Sequence, residues 1–325
     1  MANIPIFIPH VGCKNECAFC NQRTITGNIA PPSVEDAESI IRENLSTLKG
    51  EGHTIAFFGG SFTGIEREKM TRYLSMAEKY VQKGLVKGIR LSTRPDYISE
   101  EILDILQKYT VTNIELGAQS LDDEVLKAVK RGHTAQDVEA ASRLIKERGI
   151  TLGLQMMIGL PYDNSEKSIA TAKRFVELGC SETRIYPTVI IKDTLLCEMF
   201  EKGEYTPMDF DQMLDTAADC YSIFFDNSVK VLRIGLQSSE ELKESAVGGF
   251  YHEAIGEKVY SRVIRRSLEK TGGGEICYNK RFLSKVTGQK KENILYFEKM
   301  GIKADFVEDN NIAGVCVNGK YVLTF

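Results

Sequence analysis

Short β-rich runs alternate with amphipathic helical stretches over roughly the first two hundred residues. The runs are Ile4 to Ile8, Thr54 to Phe58, Gly88 to Ser92, Asn113 to Leu116, Thr151 to Met157 and Thr183 to Tyr186. Between them, "SVEDAESIIRENLSTL" shows the helical pattern: Ser33 can cap the amide of Asp36, and Ala37, Ile40, Ile41 and Leu45 form one apolar stripe. Such an alternation leaves two architectures, an open doubly wound sheet or a barrel, both with parallel strands and right-handed crossovers.

The strand ends separate the two. Cys13 to Cys20 follows the first run, "GGSF" (Gly59 to Phe62) the second, "TRPD" (Thr93 to Asp96) the third, "GAQS" (Gly117 to Ser120) the fourth, "GLP" (Gly159 to Pro161) the fifth and "YPT" (Tyr186 to Thr188) the sixth. One rim therefore carries all the polar, Gly-rich and Pro-rich elements, as the functional face of a β/α barrel does. A further strand-like run, Lys230 to Ile234, closes or extends the sheet after a long helix around Phe210 to Phe225. The fold expected is α/β, a partial (β/α)6 TIM-type barrel over residues 1–235, with a small α+β extension or cap over 236–325. In the extension a helix enters after "VGGFYHEAIGEKVY", another covers Lys291 to Met300, and "AGVCVNGKYVLTF" reads as a hairpin turning at Asn318 and Gly319.

At 325 residues and 42% hydrophobic content the chain can bury a sizeable core. Its 41 basic and 45 acidic residues give no global pull toward nucleic acid or membrane. From Lys258 to Lys291, however, ten Lys or Arg face only Glu269 and Glu275, an excess that suits phosphates or a solvated helix face. "MANIPIFIPH" has no basic region ahead of an apolar stretch, and nowhere do about eighteen apolar residues run together. A cytoplasmic protein without a membrane partner is expected. Cys180, Cys197, Cys220, Cys277 and Cys316 are scattered singly and read as small buried hydrophobes rather than a disulfide scaffold.

Cys13, Cys17 and Cys20 are different, crowded into "GCKNECAFCNQR". Structural zinc takes four ligands, and His10 could complete the set with the spacing H-x2-C-x3-C-x2-C. A 4Fe-4S cube also takes four, so three thiolates leave one iron open to an exogenous ligand, an arrangement useful where that ligand reacts. On residues alone both readings stand.

With Phe19 ahead of the last cysteine, this CxxxCx-aromatic-C pattern resembles the signature of the radical S-adenosylmethionine (SAM) superfamily. The resemblance implies a 4Fe-4S cluster on the three cysteines and SAM chelated to its open iron. An electron from an external donor then cleaves the sulfonium bond to give a 5′-deoxyadenosyl radical that abstracts hydrogen from substrate. It also implies that the backbone at Gly59, Gly60 and Ser61 holds the SAM amino group, although relatives often carry "GGE" there.

"IELGAQSLDDEVLKAVKRGHT" (Ile114 to Thr134), "QMMIGLP" and "RIYPTVIIKDTLLCEMFEKGEYTP" resemble the radical SAM region of the Elongator catalytic subunit. The first stretch also resembles oxygen-independent coproporphyrinogen oxidase. On that match Gln119 lies beside the SAM ribose, Arg131 pairs with its carboxylate, and Tyr186 contributes to the wall around adenine and substrate. Ser92 stands where relatives usually carry a ribose-binding Glu. His133 is either a substrate-side acid or base or a turn histidine bonded to backbone.

The resemblance covers roughly residues 4 to 210. The last ninety or so residues are too short for Elongator's acetyltransferase domain, and acetyl-CoA dependence is not expected. The expectation is thus a radical SAM enzyme acting on an organic substrate. A tRNA nucleoside, met through the basic stretch 258–291, is the substrate that kinship suggests. A small metabolite is the alternative, and a non-catalytic zinc-bearing binding protein is a third reading.

Overall fold

The computed structural model describes residues 2–9, 12–13, 16–21 and 30–324. The expected runs form β1 (Asn3–Ile8), β2 (Thr54–Gly59), β3 (Gly88–Thr93), β4 (Val111–Gln119), β5 (Thr151–Ile158) and β6 (Glu182–Pro187). A short β7 (Val189–Ile191) follows β6, and β8 (Lys230–Ile234) is the further run. One sheet takes the order β1-β2-β3-β4-β5-β6-β8, and every neighbouring pair is parallel. A doubly wound sheet reverses its strand order about a switch point. This sheet never reverses, so it curls in one direction into a half-barrel. β8 extends it to seven strands beside β6 and does not close it against β1.

The two faces differ by residue parity. Ile4, Ile6 and Ile8 of β1, Leu152, Leu154, Met156 and Ile158 of β5, and Thr183 and Ile185 of β6 are buried against the helices. Each such aliphatic side chain contributes about 1.5–3 kcal/mol of burial before entropy is counted. Phe7, Gln155, Met157, Arg184 and Tyr186, at the alternate positions, are only partly buried and face the hollow.

The helices start where side chains satisfy their free amides. Ser33 caps α1 (Val34–Thr47) in a reciprocal capping box with Asp36, and Ala37 and Ile41 bury the expected stripe. After α2 (Arg67–Gln82), Ser99 caps α3 (Glu100–Leu106), Asp122 caps α4 (Asp123–Ala128), Thr134 caps α5 (Ala135–Glu147) and Asn164 caps α6 (Ser165–Glu177). Thr194 then caps α7 (Leu195–Glu201) and Asp209 caps α8 (Phe210–Asp226).

After β8 come α9 (Glu240–Ser245) and β9 (Ala246–Gly249), which pairs antiparallel with β7 as a two-stranded ribbon. The tail continues with α10 (Ile255–Lys270), β10 (Gly274–Tyr278), α11 (Leu283–Thr287), α12 (Glu292–Met300), β11 (Ala304–Glu308), β12 (Gly314–Val317) and β13 (Lys320–Thr324). Its sheet has the order β11-β10-β12-β13, with β12 and β13 joined at Asn318 and Gly319 as expected. The apolar core runs unbroken from Ile4 to Leu323.

Half of the charge-rich stretch is already paired within the protein, which narrows its reading as a binding surface to the other half. Arg262 pairs with Asp211 and Asp215, and Arg266 with Asp215 and Asp219. Asp211, Asp215 and Asp219 fall one turn apart on α8, so α10 docks its arginines along one acidic stripe. Arg265 donates to Asn293 and lies over the Tyr296 ring at 4.2 Å. Lys258 meets Glu292, and Lys285 meets Glu257. Lys270, Lys280, Arg281, Lys290 and Lys291 are the members of the stretch left exposed.

Four of the five scattered cysteines are buried, as expected of small hydrophobes. Cys277 departs from this: it is only partly buried and stands directly across from Cys316 in the β10–β12 pair, because strand register aligned two residues far apart in sequence.

Candidate active site

The cysteine loop leaves β1 at the carboxyl-terminal rim and is clamped where the sequence has little side chain to offer. Gly12 has φ +84°, and a Cβ there would stand 2.3 Å from the Ser61 carbonyl oxygen, so only glycine lets the loop lie on "GGSF". Gly59, at φ +109°, lies against the Ile8 backbone, whose carbonyl accepts from the Gly60 amide at 2.7 Å. Beyond it, the Ala18 amide donates to Val129 O at 2.9 Å and the Leu196 amide to Ala18 O at 2.8 Å. Ala18 is buried with Val125, Val129 and Leu160, and Phe19 packs between this group and Ile190, Leu196 and Tyr205. The loop is thereby tied to the end of α4 and the start of α7.

Cys13 Sγ lies 3.4 Å from Ser61 Oγ. Cys17 is buried, and Arg131 Nη1 donates to its sulfur at 3.2 Å while Nη2 donates to Gly117 O at 2.6 Å. A second guanidinium, Arg94, is 2% exposed, is held bidentate on Asp96 and reaches Cys17 Sγ at 3.9 Å. Cys20 donates its amide to Cys17 O at 3.0 Å. The three sulfurs are not drawn together: among the described residues no trio of Cys, His, Asp or Glu is arranged to hold a metal ion as it stands. His10, the candidate fourth zinc ligand, and residues 14 and 15 of the loop lie outside the described residues.

The donor chemistry nonetheless fits an iron-sulfur cluster. Three thiols share one loop, and two guanidiniums turned toward Cys17 would offset the negative charge of thiolate ligands. On the wall below, the Ser92 hydroxyl is buried without a hydrogen-bond partner. Gln119 ends β4 at φ +68° after a register shift, which turns it out of the strand at the rim.

His133 resolves toward the backbone. Its Nε2 meets Ala118 O at 3.2 Å, and burial, followed by the charges of Arg131 and Arg94, holds its pKa down to about 3. The ring is neutral at neutral pH, so its 4.0 Å approach to Asp96 is no ion pair and it has no proton to donate as an acid.

A charged layer on the concave wall was missed in the sequence. Glu115, 1% exposed, accepts from Arg184 Nε at 2.6 Å and Nη2 at 3.2 Å, from Gln155 at 3.0 Å, and pairs with Arg90 at 3.2 Å. Burial works to raise its carboxyl, but Arg184 and then Arg90 outweigh burial and hold it below the usual carboxylate range. Glu182 pairs with Arg90 and accepts from Asn113 at 3.1 Å, and Arg184 lies over the Phe58 ring at 5.2 Å. The signal was available: Arg90, Glu115, Gln155 and Arg184 are polar residues at same-face positions of otherwise apolar strands.

Two family models match the chain: Radical SAM superfamily over residues 7–175 and Radical_SAM C-terminal domain over 180–265. An uncharacterized protein of Methanocaldococcus jannaschii is 29% identical over 74% of this chain and 76% of its own length. A tRNA uridine(34) acetyltransferase of Methanocaldococcus infernus is 29% identical over 62% of this chain, but the match spans only 38% of that protein. Among solved structures, the archaeal Elp3 of Methanocaldococcus infernus superposes with a TM-score of 0.66 at 23% identity, covering 83% of this chain and 63% of that one. That likeness establishes the shared fold. Among the described residues no helix is long and apolar enough to cross a membrane.

Proposed function

The chain belongs to the radical SAM superfamily, and on that footing we propose that it is an enzyme holding a 4Fe-4S cluster on Cys13, Cys17 and Cys20. SAM would lie beneath the cysteine loop on the barrel's carboxyl-terminal face. The observation that carries this reading is the loop of three thiols tied across the mouth of a parallel half-barrel, with Arg94 and Arg131 turned toward Cys17. Bound there, cluster and SAM supply reductive cleavage of a sulfonium bond and, through it, hydrogen abstraction.

The chain's own residues would bind and orient. Gly59, Gly60 and Ser61 offer backbone to the SAM amino group at the point where β1 and β2 end. Gln119 and the unpartnered Ser92 hydroxyl would serve the ribose from neighbouring strands. Arg131, already bridging Cys17 and Gly117, is placed to take the SAM carboxylate with its fork. Phe19 and the ring face of Tyr186 would complete the lining, and the curled sheet would keep water from one whole side of the chamber. Residues 236–325 act as the cap in this reading, beside a barrel of residues 1–235. The reducing electron would come from an external donor.

For substrate, we infer a tRNA nucleoside, supported by the likeness to a tRNA uridine(34) acetyltransferase and by the exposed Lys280, Arg281, Lys290 and Lys291 on the extension. Comparing modified nucleosides in tRNA from cells with and without the gene tests it. A nucleoside missing from the deletion strain supports the reading and names the product; an unchanged profile transfers the activity to a small metabolite. Metal analysis of anaerobically purified protein tests the cofactor: about four iron and four sulfide per chain are expected, and a colourless zinc protein would refute it.

A further inference from the structure

The charge on the concave wall does not balance. Arg90, Arg184 and Arg233 present three guanidiniums there, against the two carboxylates Glu115 and Glu182. Arg90 and Arg184 are the two that these carboxylates engage. Arg233, on the edge strand β8, has no hydrogen bond or ion pair among the described residues, yet it is only partly exposed.

Its position is defined by register. Arg233 is the β8 residue opposite Arg184 of β6, and directly paired residues of parallel strands point to the same face. The hollow side of β6 carries Glu182, Arg184 and Tyr186, so Arg233 faces the hollow as well, within electrostatic reach of the Tyr186 phenol. A partly buried guanidinium next to a second guanidinium is unfavourable unless an anion completes the set. The neighbouring phenol adds a neutral hydrogen-bond donor, so the pair can meet an anion with one charged and one uncharged group.

We propose that Arg233, with Tyr186, forms an anion subsite on the β6–β8 side of the barrel that receives a phosphate or carboxylate group of the substrate. Arg184 stays on Glu115 and supplies positive potential from behind. The inference rests on the half-barrel being the substrate chamber, as proposed above. It adds that whatever enters carries negative charge at the end lying over β8. A guanidinium suits that task because its fork can engage two oxygens of one phosphate or carboxylate at once.

The test is equilibrium binding of pyrophosphate and of malonate to the full-length, anaerobically purified protein by calorimetry, at constant ionic strength and without SAM. The parent is expected to bind at least one probe. Tighter pyrophosphate binding assigns a phosphate-bearing substrate, and tighter malonate binding a carboxylate. Arg233→Gln is expected to weaken the preferred probe by about tenfold or more. Arg233→Lys, which keeps the charge and loses the fork, should weaken it by less, and it serves as the second variant if Arg233→Gln does not fold. A parent that binds neither probe, or an Arg233→Gln protein that folds and binds as tightly as the parent, overturns the proposal. Because 5′-deoxyadenosine formation is measured separately, loss of the subsite and loss of the radical SAM reading remain distinguishable.

Discussion

His133 makes the fold measurably pH-dependent. The residue is 5% exposed, with Nδ1 buried and no hydrogen-bond partner, and Arg131 and Arg94 nearby. In the unfolded chain a histidine titrates near 6.5, whereas here the pKa is held down to about 3. Between those values the unfolded state binds the extra proton, so stability is fully present above the unfolded pKa and falls as pH drops toward 3. Evaluating the single-site linkage with these two values gives a loss of about 2 kcal/mol between about pH 7 and pH 5. Urea unfolding at the two pH values, followed by far-UV circular dichroism, measures it. His133→Asn keeps an amide able to reach Ala118 O but cannot titrate, so its stability should fall by about 2 kcal/mol less than the parent's over the same interval. If parent and variant lose the same amount, the ring is not held neutral and the electrostatic reading of the arginine cluster is wrong.

Replacing Cys17 with Ala should abolish 5′-deoxyadenosine formation while Cys220→Ala, at a buried position away from the loop, retains it; product formed by the Cys17 variant would remove that residue from the ligand set. Glu115→Gln leaves Arg90 and Arg184 without their shared carboxylate, and a destabilisation of about 3–5 kcal/mol is expected in urea melts. A loss under about 1 kcal/mol would mean the layer is hydrated rather than buried. Joint replacement of Lys280, Lys290 and Lys291 by Glu should weaken tRNA binding and flatten its salt dependence, whereas an unchanged slope would clear the extension of that role. Reversing Arg262 and Arg266 should instead lower stability, since both hold α10 to α8.

Periodicity and capping are local, so the strands, most helices, the half-barrel and the Asn318–Gly319 hairpin were legible in the sequence. The three-thiol loop was legible for the same reason: its spacing lies within eight residues. Short elements of the tail were not. The β7–β9 ribbon joins residues more than fifty positions apart, and β10 and β11 are five-residue strands whose pairing is decided by neighbours rather than by their own pattern.

The sequence by itself determined the element types, the equipped rim and the family that the cysteine motif resembles, because each depends on side chains close in the chain. Only the tertiary structure decided which charges are already committed. Arg262 and Arg266 looked like a phosphate-binding face until α8 brought Asp211, Asp215 and Asp219 against them. Strand register sets Arg233 beside Arg184, and no carboxylate among the described residues pairs with it. Charge can be counted along a chain, but compensation depends on distances of a few ångströms between residues tens of positions apart, and those distances exist only after folding.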